Sequence, residues 1–176
     1  VSIAKGYHGH TGLALAAGDE RFSRMFLSQG APGEFVQVAW NDPDAMATAL
    51  SGDDVAAVLI ETIPATLGFP MPAPGYLAGI REICHRHGAL LTFDEVKTGL
   101  VVAAGGATEL YDVRPDIVCL AKALGGGVPC GAVGGTAEVM RAISDGVYDQ
   151  VGTFNGNPLT MAAAKAVLTE VLTPEA

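Results

Sequence analysis

Two short segments set a reactive side chain at the end of an apolar run. They are FDEVKTG at 93–99 and CLAKALGGG at 119–127. Residues 89–93 lead into Asp94, and residues 116–120 lead through Ala121 to Lys122. Continuous apolar runs of this length read as strands covered on both faces. In open α/β sheets, ligands sit in the crevice beyond the carboxyl ends of the strands. A lone carboxylate and a lone amine at two such ends can address one ligand. The chemistry that wants this pair is that of pyridoxal 5′-phosphate (PLP). A lysine amine condenses with the cofactor aldehyde, and a carboxylate partners the pyridine nitrogen. An isolated lysine is more often a solvated surface residue. Lys122, however, lies between an apolar run and Gly125, Gly126 and Gly127, where a surface lysine gains nothing.

Five segments in order extend this reading: YHGH at 7–10, ETIPATLGFPMPAPGYL at 61–77, FDEVKTG, YDVRPDIVCLAKALGGGVPCGAVGG at 111–135, and GTFNGNPLTMAAA at 152–164. Together they resemble the class-III aminotransferases, a branch of the fold type I PLP enzymes in the aspartate-aminotransferase superfamily. Each segment alone is a weak signal; five at the family's spacing span nearly the whole chain. Within the family, GGATELYDVRPD at 105–116 and GGGVPCGAVGG at 125–135 look most like the glutamate-semialdehyde-aminomutase branch.

The resemblance implies an α/β fold, a mostly parallel sheet with helices on both faces, forming part of the large PLP-binding domain. It implies that Lys122 holds PLP as a lysine aldimine and later shuttles a proton. Asp94 would keep the pyridine nitrogen protonated, and Val96 would pack on one ring face. Tyr7 would stack on the opposite face, with His8 in a lesser, adjacent role. Thr153 matches the position that binds the phosphate of the neighbouring subunit's cofactor, which implies a homodimer. The implied activity moves an amino group between a small amino donor and an oxo acceptor, as an aminotransferase or aminomutase. Related fold type I enzymes use the same set for decarboxylation or racemisation. A reading of another class is a non-catalytic piece with a remnant cofactor site. Family members are longer, with an upstream glycine-serine-threonine loop that receives the phosphate at a helix N-terminus and a small C-terminal domain. Residues 1–176 are therefore expected to be part of the large domain, with both of those segments outside it.

Other readings of the same residues stand beside these. Asp94 after a strand would also suit a helix N-cap, and Thr153 a turn entering the helix at Pro158. His8 with His10, or His85 with His87, has the look of a metal pair. Residues two apart on a helix do not share a face, and no cysteine or carboxylate set completes either site, so no metal is expected. The glycines from Gly125 to Gly131 invite a dinucleotide reading, but that motif needs an acid about 20 residues on, and Glu138 is too close. Glycines for close backbone approach explain them better.

The sequence also departs from the family. Glu61 is followed by Thr62 where proline is common, and Thr66 stands where some transaminases carry a second glutamate. Lys97 replaces a frequent glutamine, and Leu100, Val101 and Val102 replace a segment that often holds an arginine. The cofactor chemistry carries over; the substrate determinants do not.

Composition sets the outer bounds. A chain of 176 residues, 49% hydrophobic, is expected to be one globular domain. Its net charge of −9 argues against nucleic acid, which demands lysine and arginine patches. No run reaches the ~18 apolar residues of a membrane helix, and no charged-then-apolar leader opens the chain; a cytoplasmic protein is expected. Cys84, Cys119 and Cys130 are odd in number and read as reduced, buried thiols.

Strand and helix signals alternate as in an α/β domain. Strands are expected at 1–4, 35–40, 55–60, 89–94, 116–121 and 131–134. Helices are expected at 44–50, capped by Asn41 or Asp42 with Pro43 in the first turn, and at 75–87 with Gly88 as its stop. Two more are expected at 137–144 and 158–172.

Overall fold

Apolar residues at 77, 80, 83 and 84 fall on one face of a 3.6-residue repeat, and helix α4 (Tyr76–Arg86) buries all four. It ends where Gly88, at φ 68°, turns the chain so that Ala89 N–H reaches the carbonyl of Cys84 at 3.0 Å. A left-handed residue of this kind costs glycine nothing.

The computed structural model describes residues 1–23 and 34–173. The chain forms two compact units. The first holds Val1–Asp94 with Val113–Pro115, and the second Glu95–Asp112 with Asp116–Ala176.

In the first unit, strands β1 (Ser2–Ile3), β2 (Gln37–Val38), β3 (Ala57–Glu61) and β4 (Leu90–Asp94) run parallel in the order β2-β1-β3-β4. Ile3, Val58, Ile60, Leu91 and Phe93 are almost wholly buried, each worth about 1.5–3 kcal/mol relative to exposure. Helix α3 (Pro43–Leu50) packs against α4. Of the two expected caps, Asp42 is the one used: its side chain accepts from Ala45 N–H at 2.8 Å. Asn41 instead takes φ 60° and ties down the loop at 71–73 through Met71 and Ala73. Two short helices not expected from sequence precede β2, α1 (Gly12–Ala17) and α2 (Glu20–Ser23). The expected strand at 35–40 shortens to two residues, and its first part, 35–36, lies outside any strand.

In the second unit, a short helix α5 (Gly106–Leu110) precedes the antiparallel pair β5 (Ile117–Leu120) and β6 (Ala132–Gly135). A 3₁₀ turn at Lys122–Gly125 follows β5. Helix α6 (Ala137–Ser144) is capped by Thr136, and α7 (Pro158–Ala166) by Asn157, whose side chain accepts from Thr160 N–H at 3.0 Å. The helix expected at 158–172 is α-helical only to Ala166 and then widens into a π segment, Val167–Val171. There the Thr169 hydroxyl donates to the Lys165 carbonyl at 2.9 Å, a back-bond that competes with the ladder and bends helices.

The mostly parallel α/β expectation holds, with β6 as the antiparallel strand. No helix among the described residues is long and apolar enough to cross a membrane. The three cysteines are free thiols; Cys84 is buried as expected, but Cys119 and Cys130 are only half-buried.

Candidate active site

The parallel register of β3 and β4 sets Glu61 opposite Asp94 at their carboxyl ends. Both acids face the turn that follows β1. Asp94 Oδ2 lies 2.7 Å from Nδ1 of His8, and the two side chains are 10% and 3% exposed. An ionised carboxylate only accepts, so with Asp94 ionised the His8 proton sits on Nδ1. His8 Nε2 is buried without a hydrogen-bond partner. Glu61 Oε1 accepts from the backbone N–H of Tyr7 at 2.8 Å, and Oε2 from that of Ala65 at 3.3 Å.

The turn itself is tight. Gly6 N–H donates to the Ile3 carbonyl at 3.1 Å, and a Cβ on Gly6 would come within 3.0 Å of that oxygen. The Tyr7 hydroxyl is 2.7 Å from His10 Nδ1, and its ring meets His10 and Phe22 edge-on at 5.4 and 5.6 Å. Thr66, one of the departures from the family pattern, donates its hydroxyl to the Lys5 carbonyl at 2.6 Å. Tyr7, His8 and Asp94 are thus brought together in the first unit.

Lys122, Val96 and Thr153 belong to the second unit. Lys122 opens the 3₁₀ turn after β5 with φ 41°, one of seven non-glycine residues at positive φ among the described residues. That conformation costs of order 1–3 kcal/mol outside glycine and clusters at functional sites. The turn is anchored by buried Leu124 and Gly125, while Lys122 itself is exposed. The glycines beyond it serve close packing. A Cβ on Gly125 would lie 2.9 Å from that of Cys130, and one on Gly126 2.7 Å from Val167 Cγ2.

Val96 is half-buried in the turn after β4. Beside it stands a residue that the sequence reading passed over. Glu95 is 1% exposed, and its carboxylate takes four donors. These are Thr98 Oγ1 (3.1 Å), Ala107 N–H (2.6 Å), Thr108 N–H (2.9 Å) and Thr108 Oγ1 (2.7 Å). Its own N–H donates to the Cys119 carbonyl at 2.9 Å. The available signal was an acid directly after a strand-ending acid, followed by Gly105-Gly106-Ala-Thr108. Thr153 is exposed in the turn before α7, flanked by exposed Val151, Phe154 and Leu159.

The Aminotransferase class-III family model matches residues 1–176. This chain belongs to the class-III aminotransferase family. A glutamate-1-semialdehyde 2,1-aminomutase from Methanothrix thermoacetophila is 46% identical over 176 residues, covering 96% of this chain and 41% of the relative. One from Syntrophobacter fumaroxidans is 42% identical over 171 residues, 92% of this chain and 40% of the relative. Among solved structures, the ornithine aminotransferase from Toxoplasma gondii ME49 superposes with a TM-score of 0.85 at 35% identity, over 99% of this chain and 41% of that one. An omega-transaminase from Sphaerobacter thermophilus gives 0.84 at 33% identity, over 99% and 43%. The chain spans about two-fifths of the length of the curated relatives it matches. The expected family and fold class therefore stand.

Proposed function

We propose that this chain is part of the cofactor-binding domain of a PLP-dependent aminotransferase or aminomutase, acting on a small amino donor and an oxo acceptor. The observation that carries the reading is the His8–Asp94 pair at the end of β4, 2.7 Å apart and largely withdrawn from water. One neighbouring structure is a transaminase with PLP bound, 29% identical with a TM-score of 0.83. The residues present fit that group: a carboxylate for a ring nitrogen, an aromatic and a valine for ring faces, an amine for an aldehyde carbon, and a hydroxyl for a phosphate.

Bound there, PLP supplies an electron sink for charge developing on the substrate's amine-bearing carbon. Asp94 would hold a proton on the pyridine nitrogen. His8 would keep that carboxylate oriented through the contact of its Nδ1 with Oδ2, at 2.7 Å. Tyr7 and Val96 would lie against the two ring faces and exclude water. Lys122 would bind the aldehyde carbon and, with its amine released, carry a proton to and from the substrate carbon. The curated relatives favour the aminomutase form of the reaction, at 46% and 42% identity.

Thr153 would serve a partner subunit's phosphate, making the enzyme a homodimer. The exposed apolar residues around it, Val151, Phe154 and Leu159, support a surface that a second copy covers. The three free thiols support a reducing, cytoplasmic setting.

The test is borohydride reduction of the full-length, PLP-loaded protein followed by peptide mapping. The expected label is on Lys122. Label on Lys97 or Lys5 in its place would overturn the assignment.

A further inference from the structure

Consecutive residues of the turn after β1 are held by carboxylates on adjacent strands. Tyr7 is bound through its backbone N–H to Glu61 at 2.8 Å, and His8 through its ring to Asp94 at 2.7 Å. Glu61 and Asp94 are register partners in the β3/β4 ladder. Neighbouring strands lie about 4.8 Å apart, and consecutive α-carbons about 3.8 Å, so the turn crosses the two strand ends in one residue step.

This arrangement is costly for an ordinary turn. Glu61 is 6% exposed, and burying a charge is expensive unless its lone pairs are filled. Like charges directly opposite on adjacent strands destabilise the pair further. A neutral acceptor would satisfy one amide without either cost. A carboxylate has two oxygens, however, and Glu61 uses them on separate segments, Tyr7 and Ala65. Gly6 is constrained by the turn itself: a Cβ there would stand 3.0 Å from the Ile3 carbonyl oxygen, and in ordinary contact with His8 Nε2 at 3.4 Å and Glu61 Oε1 at 3.8 Å.

We propose that Glu61 is a positioning residue for the cofactor, fixing the backbone at Tyr7 so that the Tyr7 ring meets the ring face while His8 reaches Asp94. The proposal rests on the PLP reading above. In this role Glu61 acts through the turn rather than on cofactor or substrate.

The experiment compares wild type, Glu61→Ala, Glu61→Gln and Glu61→Asp in the full-length protein. Amide exchange of the Tyr7 segment is measured without cofactor, with α4 as the internal reference. Visible circular dichroism and affinity are then measured with PLP. In Glu61→Ala the Tyr7 amide should exchange about tenfold faster with α4 unchanged, as expected for losing one such hydrogen bond. The cofactor's dichroic band should collapse, and PLP should bind about tenfold more weakly. Glu61→Gln, which retains an acceptor, should recover most of both signals. Should the alanine variant not fold, Glu61→Asp stands in. It keeps the charge but is one methylene too short to reach both amides, and should show the same faster exchange and weakened band. Unchanged Tyr7 exchange in these variants would overturn the proposal. So would faster exchange with a wild-type dichroic band and PLP affinity, which would make Glu61 a prop for the turn alone. A wild-type protein that takes up no PLP would overturn the cofactor reading and this proposal together. Normal wild-type uptake with unaffected variants overturns this proposal alone.

Discussion

The buried carboxylate of Glu95 ties the turn after β4 to the start of α5, and its removal should be among the most damaging changes in the second unit. In Glu95→Ala the N–H groups of Ala107 and Thr108 lose their acceptor at a site that is 1% exposed. A buried donor left unsatisfied costs about 1–3 kcal/mol. The hydroxyls of Thr98 and Thr108 can rotate toward other acceptors and are left out of the sum. The two amides alone then give a loss of about 2–6 kcal/mol, set against a total domain stability of about 5–15 kcal/mol. Glu95→Gln keeps the shape and one acceptor oxygen but turns an NH₂ toward the remaining donors, so about half that loss is expected.

Gly106 provides a second handle on the same contact. It sits at φ 68°, and a Cβ there would strike the Glu95 carboxylate. Gly106→Ala should be destabilising in the wild type and much less so in Glu95→Ala, where only the backbone strain remains. Sites in contact show non-additivity of 0.5–3 kcal/mol in such cycles. The assay is denaturant unfolding of the full-length protein for the two single variants and the double variant. A loss below about 1 kcal/mol for Glu95→Ala at unchanged m-value, or strictly additive effects of the two changes, would refute the reasoning.

Asp94→Asn retains the shape beside His8 but loses the charge that would hold the ring proton. Amino transfer by the full-length enzyme should fall by about 10²–10³ while its melting temperature shifts little; near-wild-type turnover would remove Asp94 from that role. Tyr76 is 4% exposed, and its hydroxyl has no well-formed hydrogen bond; the nearby Asn41 backbone eases its ionisation by less than burial opposes it. Burial pushes its pKa up to about 12, above the ordinary phenol value near ~10. The folded state therefore binds more protons than the unfolded one across that window, and stability should fall as pH rises from about 10 to 12. Tyr76→Phe keeps the edge-on contact with Trp40, at 4.9 Å. It should be as stable as wild type or more so at pH ~7 and should lose that part of the alkaline decline; an unaltered alkaline slope would count against it.

The strands were legible where apolar runs are long, as at 57–61 and 90–94, and the helices where a cap and a period coincide, as at Asp42 and along α4. Helices α1, α2 and α5 were not. They are short, and GLALAA and GATEL begin on glycine, a residue that weakens helices. Only tertiary contacts, Glu95 on α5 above all, hold such pieces in place. The π segment after Ala166 was equally hidden, because a back-bonding Thr169 does not disturb apolar periodicity. Among the candidate site residues, types and order could be read from motifs alone. The pairing of His8 with Asp94, and of Tyr7 with Glu61, could not, since each joins residues more than fifty positions apart. Such bonds depend on strand register, which no local pattern encodes.

The hairpin that carries Lys122 has a consequence for how this sequence can change. β5 and β6 pair from Ile117 with Gly135 up to Leu120 with Ala132, so residues 121–131 form a loop whose two feet are clamped. Side chains alternate faces with a period of two along a strand. Lys122 lies just past the strand, at φ 41° in the 3₁₀ turn, so the lysine's direction is set by where that turn begins after Leu120. One residue added or lost between Leu120 and Lys122 would turn the amine away, with no change in composition. The stretch beyond Gly126, partly exposed, has no such position to keep. Length variation in this loop should therefore accumulate on the Gly127 side and be purged on the Leu120 side.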